Sequence, residues 1–323
     1  MAVKPPMNIG LCNTCHARVP ATFIQRNDQV FIRKVCPKCG PNESLVSNEA
    51  HIWQGKRDLW QYVPTDPVAC SLHCDRCQID HHPTIVFIDV TNRCNMNCPI
   101  CIANVRGMGF EYHPPLSYFE KVFAEIGRFH PTPMVELFGG EPTMREDLLE
   151  IIKIGRTHGL KPRVVTNGIR LADEDYCREL CEAKVRFRFA FDGRSPEIYQ
   201  RLRRNPGAYE KKMKALANLA KHSRRRHAIL CCAARNINED YIGDLIDFCH
   251  ENMGIVSELG LIPLTENWPA GEFEHVERTT LEDAERMVER SVHGGEVDFV
   301  PAGMVHGLRK ARTFSRTGHA PKC

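Results

Sequence analysis

Three cysteines, Cys94, Cys98 and Cys101, stand in a C-x3-C-x2-C spacing directly after the apolar run from Thr84 to Val90. Three thiolates this close together can wrap one small inorganic cluster, and iron–sulfur clusters are what cysteine-only spacing most often holds. A four-iron cluster has four corners, so three thiolates leave one iron without a protein ligand. An open coordination position is where a small molecule binds and reacts. The bland alternative is a structural zinc or ferredoxin-type site, but structural zinc usually closes with four ligands.

The elements that must position this triplet are legible around it. Ile85, Val86, Phe87, Ile88 and Val90 form a nearly continuous, largely β-branched run, as a strand buried on both faces of a parallel sheet should. From residue 84 onward strand and helix patterns alternate. Strands are expected at 134–138, 161–165, 185–191, 228–234 and 255–263, and helices at 115–129, 145–157, 172–183, 196–203, 207–222, 240–252 and 281–290. This βαβ alternation predicts an α/β fold, a partial (β/α)6 TIM-like barrel whose strand ends share one mouth. The second strand ends in Gly139-Gly140-Glu141, where bare amides allow close approach and a carboxylate can grip a ligand ammonium. The third ends in Thr166-Asn167-Gly168, the fourth in Asp192-Gly193, and the fifth in Arg235-Asn236-Ile237-Asn238. Cys177 and Cys181 read as small core residues. Arg224 to His227 reads as a solvated helix end.

Upstream, Cys12 and Cys15 are followed twenty residues later by Cys36 and Cys39. Two C-x2-C knuckles at that separation can gather four sulfurs around one tetrahedral ion: zinc as a structural clamp, or iron as a rubredoxin-like relay. Cys70, Cys74 and Cys77 repeat the C-x3-C-x2-C spacing. Only Cys94 follows a barrel-type strand, so the first of these triplets is assigned to an auxiliary cluster; its alternative is a loop zinc site completed by His81 or His82. The expected division is a small N-terminal metal-knuckle domain over 1–50, a connector with the auxiliary motif over 51–83, the barrel over 84–292, and a tail over 293–323 that suggests truncation.

A chain of 323 residues with 42% apolar content accommodates one large domain and a small appendage. The net charge of +3 comes with no long basic stripe for nucleic acid. No segment approaches the ~20 apolar residues of a membrane span, and the start Met1-Ala2-Val3-Lys4-Pro5-Pro6 has no signal-peptide core. Sixteen cysteines, mostly in pairs and triplets, indicate metal ligation in a reducing compartment, which places the protein in the cytoplasm.

Cys94, Cys98 and Cys101 after a strand, with the Gly139-Gly140-Glu141 strand end one crossover later, resemble the signature of the radical S-adenosylmethionine (SAM) superfamily. The resemblance implies that the open iron chelates the amino and carboxylate groups of SAM and that one electron breaks the sulfonium bond, giving methionine and a 5'-deoxyadenosyl radical. It implies that Gly139, Gly140 and Glu141 hold the SAM amino group, that Asp192 contacts the ribose, and that Ile100, Thr166, Asn167, Arg235 and Asn236 complete the cofactor-binding set. The paired knuckles and the auxiliary triplet make the chain similar to the group of tetraether synthase and dihydropterin methyltransferase. In that group a fourth cysteine usually completes the auxiliary site before the barrel strand; here that stretch holds only Asp80, His81 and His82 as candidates. The group implies hydrogen abstraction from an unactivated carbon for carbon–carbon bond formation on a lipid, with radical methylation or alkylation of a pterin-like ring as the alternative. It also implies a low-potential electron donor such as ferredoxin or flavodoxin, and for a lipid substrate peripheral membrane contact. A non-catalytic electron-transfer or redox-sensing module is the competing class, against which the SAM cradle speaks.

Overall fold

The alternation of strands and helices builds the expected half-barrel. The computed structural model describes residues 8–59, 83–266, 268, 271–273, 277–292, 297 and 299. Cys70, Cys74, Cys77, His81, His82 and Cys323 lie outside the described residues.

Six parallel strands follow one another in sequence order across the large sheet: β5 (Ile85–Thr91), β6 (Met134–Gly139), β7 (Arg163–Thr166), β8 (Arg186–Ala190), β9 (His227–Ala233) and β10 (Val256–Pro263). The helices α2 (Leu116–Ile126), α3 (Leu148–Thr157), α4 (Glu174–Glu182), α5 (Pro196–Arg203), α6 (Ala208–His222) and α7 (Ile242–Glu251) make the crossovers, and α8 (Leu281–Ser291) follows β10. One face of the sheet packs on helices: Ile88, Val90, Leu137, Val164, Phe187, Phe189 and Ile229 share a core with Phe119, Phe123, Ile151 and Leu180. These residues alternate along the strands with a second set that points to the concave side.

That concave side departs from a double-buried sheet. Phe87 is 60% exposed, and it is registered opposite Glu136, which is opposite Arg163. Glu136 is fully buried and shares one carboxylate oxygen between Arg163, at 2.5 Å, and Arg188, at 2.8 Å; Arg188 reaches on to Glu258 at 2.9 Å. An ion-paired belt thus crosses four strands of the concave wall.

The N-terminal unit is a four-stranded antiparallel sheet, β1 (Asn8–Leu11), β2 (Arg18–Arg26), β3 (Gln29–Cys36) and β4 (Gly40–Ser47), followed by α1 (Ala50–Leu59). The connector expected to start near residue 51 is helical up to Leu59, where Trp53 packs on Phe23 with ring centroids 5.0 Å apart. The polar strand β4 gave no alternation signal because it is the outer strand of its sheet, with one side open to solvent. The unit docks on α8 through charge: Lys56 pairs with Glu282 and Glu285, Arg286 with Glu49, and Asn48 donates to Asp283 at 2.9 Å.

Candidate active site at the strand ends

The cysteine loop leaves β5 and is tied down along its length by its neighbours. Gly140 N–H donates to Thr91 O at 2.6 Å and Glu141 N–H to Arg93 O at 2.8 Å, stitching the end of β6 to the start of the loop. A Cβ on Gly139 would stand 2.2 Å from Thr91 O, and one on Gly140 2.3 Å from Arg93 O. Both glycines are therefore required by backbone approach, and Gly139 also holds φ at +123°. Asn92 fastens the return of the loop, exchanging hydrogen bonds with the backbone of Phe110 and Tyr112. Beneath it, Arg145 is buried and donates to Val90 O, Pro114 O and, through two nitrogens, Asp147.

Cys94 and Cys98 pack partly buried against the main core. Burial pushes the Cys94 thiol up to about 11, against the Met96 amide, and the charge of Glu141 adds to the rise. Burial likewise raises Cys98, and Arg203 opposes it. Desolvated thiols of this kind ionise when a metal draws them. Among the described residues, the metal-ligating groups that lie within 4.8 Å of one another are the four knuckle cysteines, not this triplet. A tetrahedral zinc needs its sulfurs about 3.8 Å apart. The wider triplet, with one cysteine fewer, instead fits a polynuclear cluster with an open corner.

Glu141 also ties neighbouring strand ends together. Its carboxylate is 1% exposed and accepts from Thr143 N at 3.0 Å, Thr143 Oγ1 and Thr166 Oγ1 at 2.7 Å each, and Asn167 N at 2.7 Å. It clasps the end of β7 to the end of β6, with three donors on Oε1 and the Asn167 amide on Oε2. Thr166 is thereby structural too. Asn167 stays near the chemistry: its Nδ2 lies 3.9 Å from Cys94 Sγ and 2.7 Å from Asn95 Oδ1.

Asp192 is also buried, held by both Arg203 Nε and a terminal nitrogen at 2.9 Å and by Cys232 N at 3.0 Å. Burial pushes its carboxyl upward, and the Arg203 guanidinium outweighs this, holding it below the usual carboxylate range. Arg235 and Asn236 are not brought to this constellation. Arg235 pairs with Glu277 at 2.7 Å, and Asn236 N–H donates to Glu239, because the chain turns through φ +59° at Asn236 and leaves the strand line. Ile100 packs with Ile198, Leu202 and Ala234 in a satellite core beside Cys232.

Two side chains at these strand ends, Arg203 and Lys212, gave no sequence signal strong enough to find them, whereas Asn238 is marked in the sequence with Arg235 and Asn236 at the end of the fifth strand. Arg203 is the partner of Asp192. Asn238 is buried and bonds Asp192 O, Cys232 O and Ala234 N, shaping the end of β9. Lys212 is 1% exposed on α6, with Nζ on Asn167 O and Ala190 O, the ends of β7 and β8. The detectable sign of Lys212 was its place on the apolar stripe Ala208, Ala215, Leu216, Leu219 of its helix.

In the N-terminal unit, Cys12, Cys15, Cys36 and Cys39 bring their sulfurs within 4.8 Å of one another, Cys12 and Cys36 being buried. The amides of Cys15 and Thr14 lower the Cys12 thiol to about 6, as suits a resident metal thiolate. The four sulfurs fit one tetrahedral ion.

Comparison with known proteins matches both regions of the chain. Residues 88–249 match the model of the radical SAM superfamily, and residues 9–48 that of the HMPTM N-terminal zinc ribbon domain. The chain belongs to the radical SAM superfamily of enzymes, whose cofactors are a four-iron cluster and SAM. It is 31% identical over 311 residues to the 7,8-dihydro-6-hydroxymethylpterin dimethyltransferase of Methanocaldococcus jannaschii, covering 92% of this chain and 61% of that protein. It is 29% identical over 140 residues to the Fe-coproporphyrin III synthase of Methanosarcina barkeri, covering 43% of this chain and 34% of that protein. The chain thus spans less than two thirds of either relative. In fold it is similar to Streptococcus suis SuiB bound to S-adenosylmethionine, with a TM-score of 0.52 at 15% identity, covering 82% of this chain and 68% of that one.

Proposed function

We propose that the protein cleaves SAM reductively at the Cys94–Cys98–Cys101 site and that the resulting radical abstracts hydrogen, leaving as 5'-deoxyadenosine, in the alkylation of a pterin-like ring by a one-carbon donor. The similarity over 92% of the chain to a pterin dimethyltransferase carries this reading. A bound cluster would supply the electron and the open coordination site. This chain's own residues do the rest. Cys94, Cys98 and Cys101 hold the cluster, and the stitched backbone of Gly139 and Gly140 sets the loop that presents it. Asp192 and Arg203 order the end of β8, and the buried strand ends exclude water from a carbon radical.

The concave wall favours a polar ring over an alkyl chain. A lipid tail laid along β6 to β8 would meet the Glu136, Arg163 and Arg188 belt, whereas a flat heteroaromatic ring finds the partly exposed guanidinium groups of Arg163 and Arg188 and the exposed face of Phe87. Carbon–carbon bond formation on a lipid is the second reading of the same radical chemistry. The electron donor we assign is a low-potential protein of the ferredoxin or flavodoxin kind. The auxiliary cluster at Cys70, Cys74 and Cys77, and the division into knuckle, connector, barrel and tail, complete the proposal. No helix among the described residues is long and apolar enough to cross a membrane.

The test is anaerobic reconstitution with iron, sulfide, reductant, SAM and a reduced-folate one-carbon donor, with and without 6-hydroxymethyl-7,8-dihydropterin. The reading expects 5'-deoxyadenosine in both reactions and a methylated pterin mass in the second. No 5'-deoxyadenosine from cluster-loaded protein refutes the enzyme, and 5'-deoxyadenosine without pterin modification refutes the substrate.

A further inference from the structure

Lys212 is a buried cation that makes no ion pair among the described residues. Its ammonium is 1% exposed and is met by two carbonyl oxygens, Asn167 O at 2.5 Å and Ala190 O at 2.6 Å, and by the faces of Phe189 and Tyr199, with Nζ 5.5 and 5.7 Å from the ring centroids. Arg203, the other buried cation here, has its counter-charge in direct contact at Asp192. Carbonyls solvate an ammonium but do not neutralise it, so burying one without a touching carboxylate is costly. Burial pulls this ammonium down to about 8, and its interactions with Asp192, Cys98 and Glu141 support the charged form. A counter-charge that belongs in this place is the anionic cluster on Cys94, Cys98 and Cys101, which gains a further negative charge when it is reduced.

A second line of contact leads to the same group. Lys212 fixes the carbonyl of Asn167, Glu141 fixes its amide at 2.7 Å, and the Nδ2 of that asparagine lies 3.9 Å from Cys94 Sγ. The peptide on both sides of the asparagine is thus clamped while its side chain donates to a ligand sulfur.

We propose that Lys212 is a positioning residue that raises the reduction potential of the cluster, acting through its charge and through the Asn167 hydrogen bond to Cys94. Positive charge nearby and donors to ligand sulfur both favour the reduced state. The inference rests on the reading that Cys94, Cys98 and Cys101 hold the cluster. It does not depend on the substrate.

The experiment is potentiometric titration of the reconstituted full chain, followed by electron paramagnetic resonance. Lys212→Met removes the charge and keeps the length. Its midpoint is expected to fall by about 59 mV or more, a tenfold loss in the one-electron equilibrium constant, and Lys212→Arg is expected to recover part of the fall. Asn167→Ala should lower the midpoint and alter the signal of the reduced cluster, and the double variant should shift by less than the sum. Wild-type midpoints in Lys212→Met and Asn167→Ala, at full iron content, overturn the inference and leave the enzyme reading standing. If Lys212→Met does not fold, Asn167→Ala decides alone: an unshifted midpoint overturns the proposal, a lowered one supports it. Wild-type protein with no reducible, SAM-responsive cluster would sink both readings together.

Discussion

The carboxylate of Glu141 and the backbone amide of Asn167 lie 2.7 Å apart, joining the second residue after β6 to the residue after the neighbouring strand β7 at the mouth of the partial barrel. With the two threonine hydroxyls and the Thr143 amide on its other oxygen, this carboxylate is a clasp between strand ends. Glu141→Gln would turn an amide N–H toward a donor that needs an acceptor. Leaving buried donors unsatisfied costs about 1–3 kcal/mol. The urea midpoint of the variant should fall accordingly; an unchanged midpoint would show that the clasp contributes nothing.

Gly140→Ala tests how the cysteine loop is seated. The added methyl would meet the carbonyls of Arg93 and Asn92, which are backbone and cannot swing aside. The loop must move, so the iron content of the reconstituted barrel should drop severalfold while the knuckle ion stays. Elemental analysis of the two metals separately reads this. Full iron loading would mean that the loop tolerates another path.

The two metal sites should be separable. Cys98→Ala removes a ligand from the open cluster and is expected to abolish 5'-deoxyadenosine formation with the knuckle ion retained. Cys36→Ser breaks the four-sulfur knuckle, a set within 4.8 Å that includes no barrel residue. It should lose that ion and loosen the sheet of residues 8–47, since so small a sheet depends on its metal for stability. SAM cleavage that survives in Cys98→Ala would mean that another triplet binds SAM.

Much of this was legible in the sequence because each signal was local. The triplet, the knuckle and the alternation of strands and helices depend on spacing along the chain, and the structure places them in six parallel strands and a four-cysteine site. What was not legible depends on which side chains meet across elements. The clasp that Glu141 makes with Thr166 and Asn167 joins residues 25 and 26 positions apart and has no local signal. Arg235, expected in the cofactor-binding set, pairs with Glu277, a residue 42 positions away along the chain. The charged concave wall was hidden because Glu136, Arg163 and Arg188 come from three strands that periodicity treats one at a time.

His227 gives the protein a pH dependence whose sign can be worked out. Its ring, expected from the sequence to lie in a solvated helix end, is instead buried at the start of β9, where Nδ1 accepts from Phe187 N–H at 3.2 Å and Nε2 stands 2.9 Å from Ser223 Oγ. The first contact requires a lone pair on Nδ1, so the ring is neutral with its proton on Nε2. Burial, with the Arg186 charge adding to it, pulls the ring down to about 4 from an ordinary 6.5. Between those values the unfolded chain binds a proton that the folded chain refuses, so stability rises with pH across the window. This contribution is complete above about pH 6.5 and is lost as the pH falls toward about 4, amounting to about 3 kcal/mol at most. Urea midpoints at about pH 5 and pH 7 should therefore differ more for wild type than for His227→Gln, whose side-chain oxygen can still accept from Phe187 and does not titrate in this range. Equal differences in the two proteins would assign the acid sensitivity to some other group.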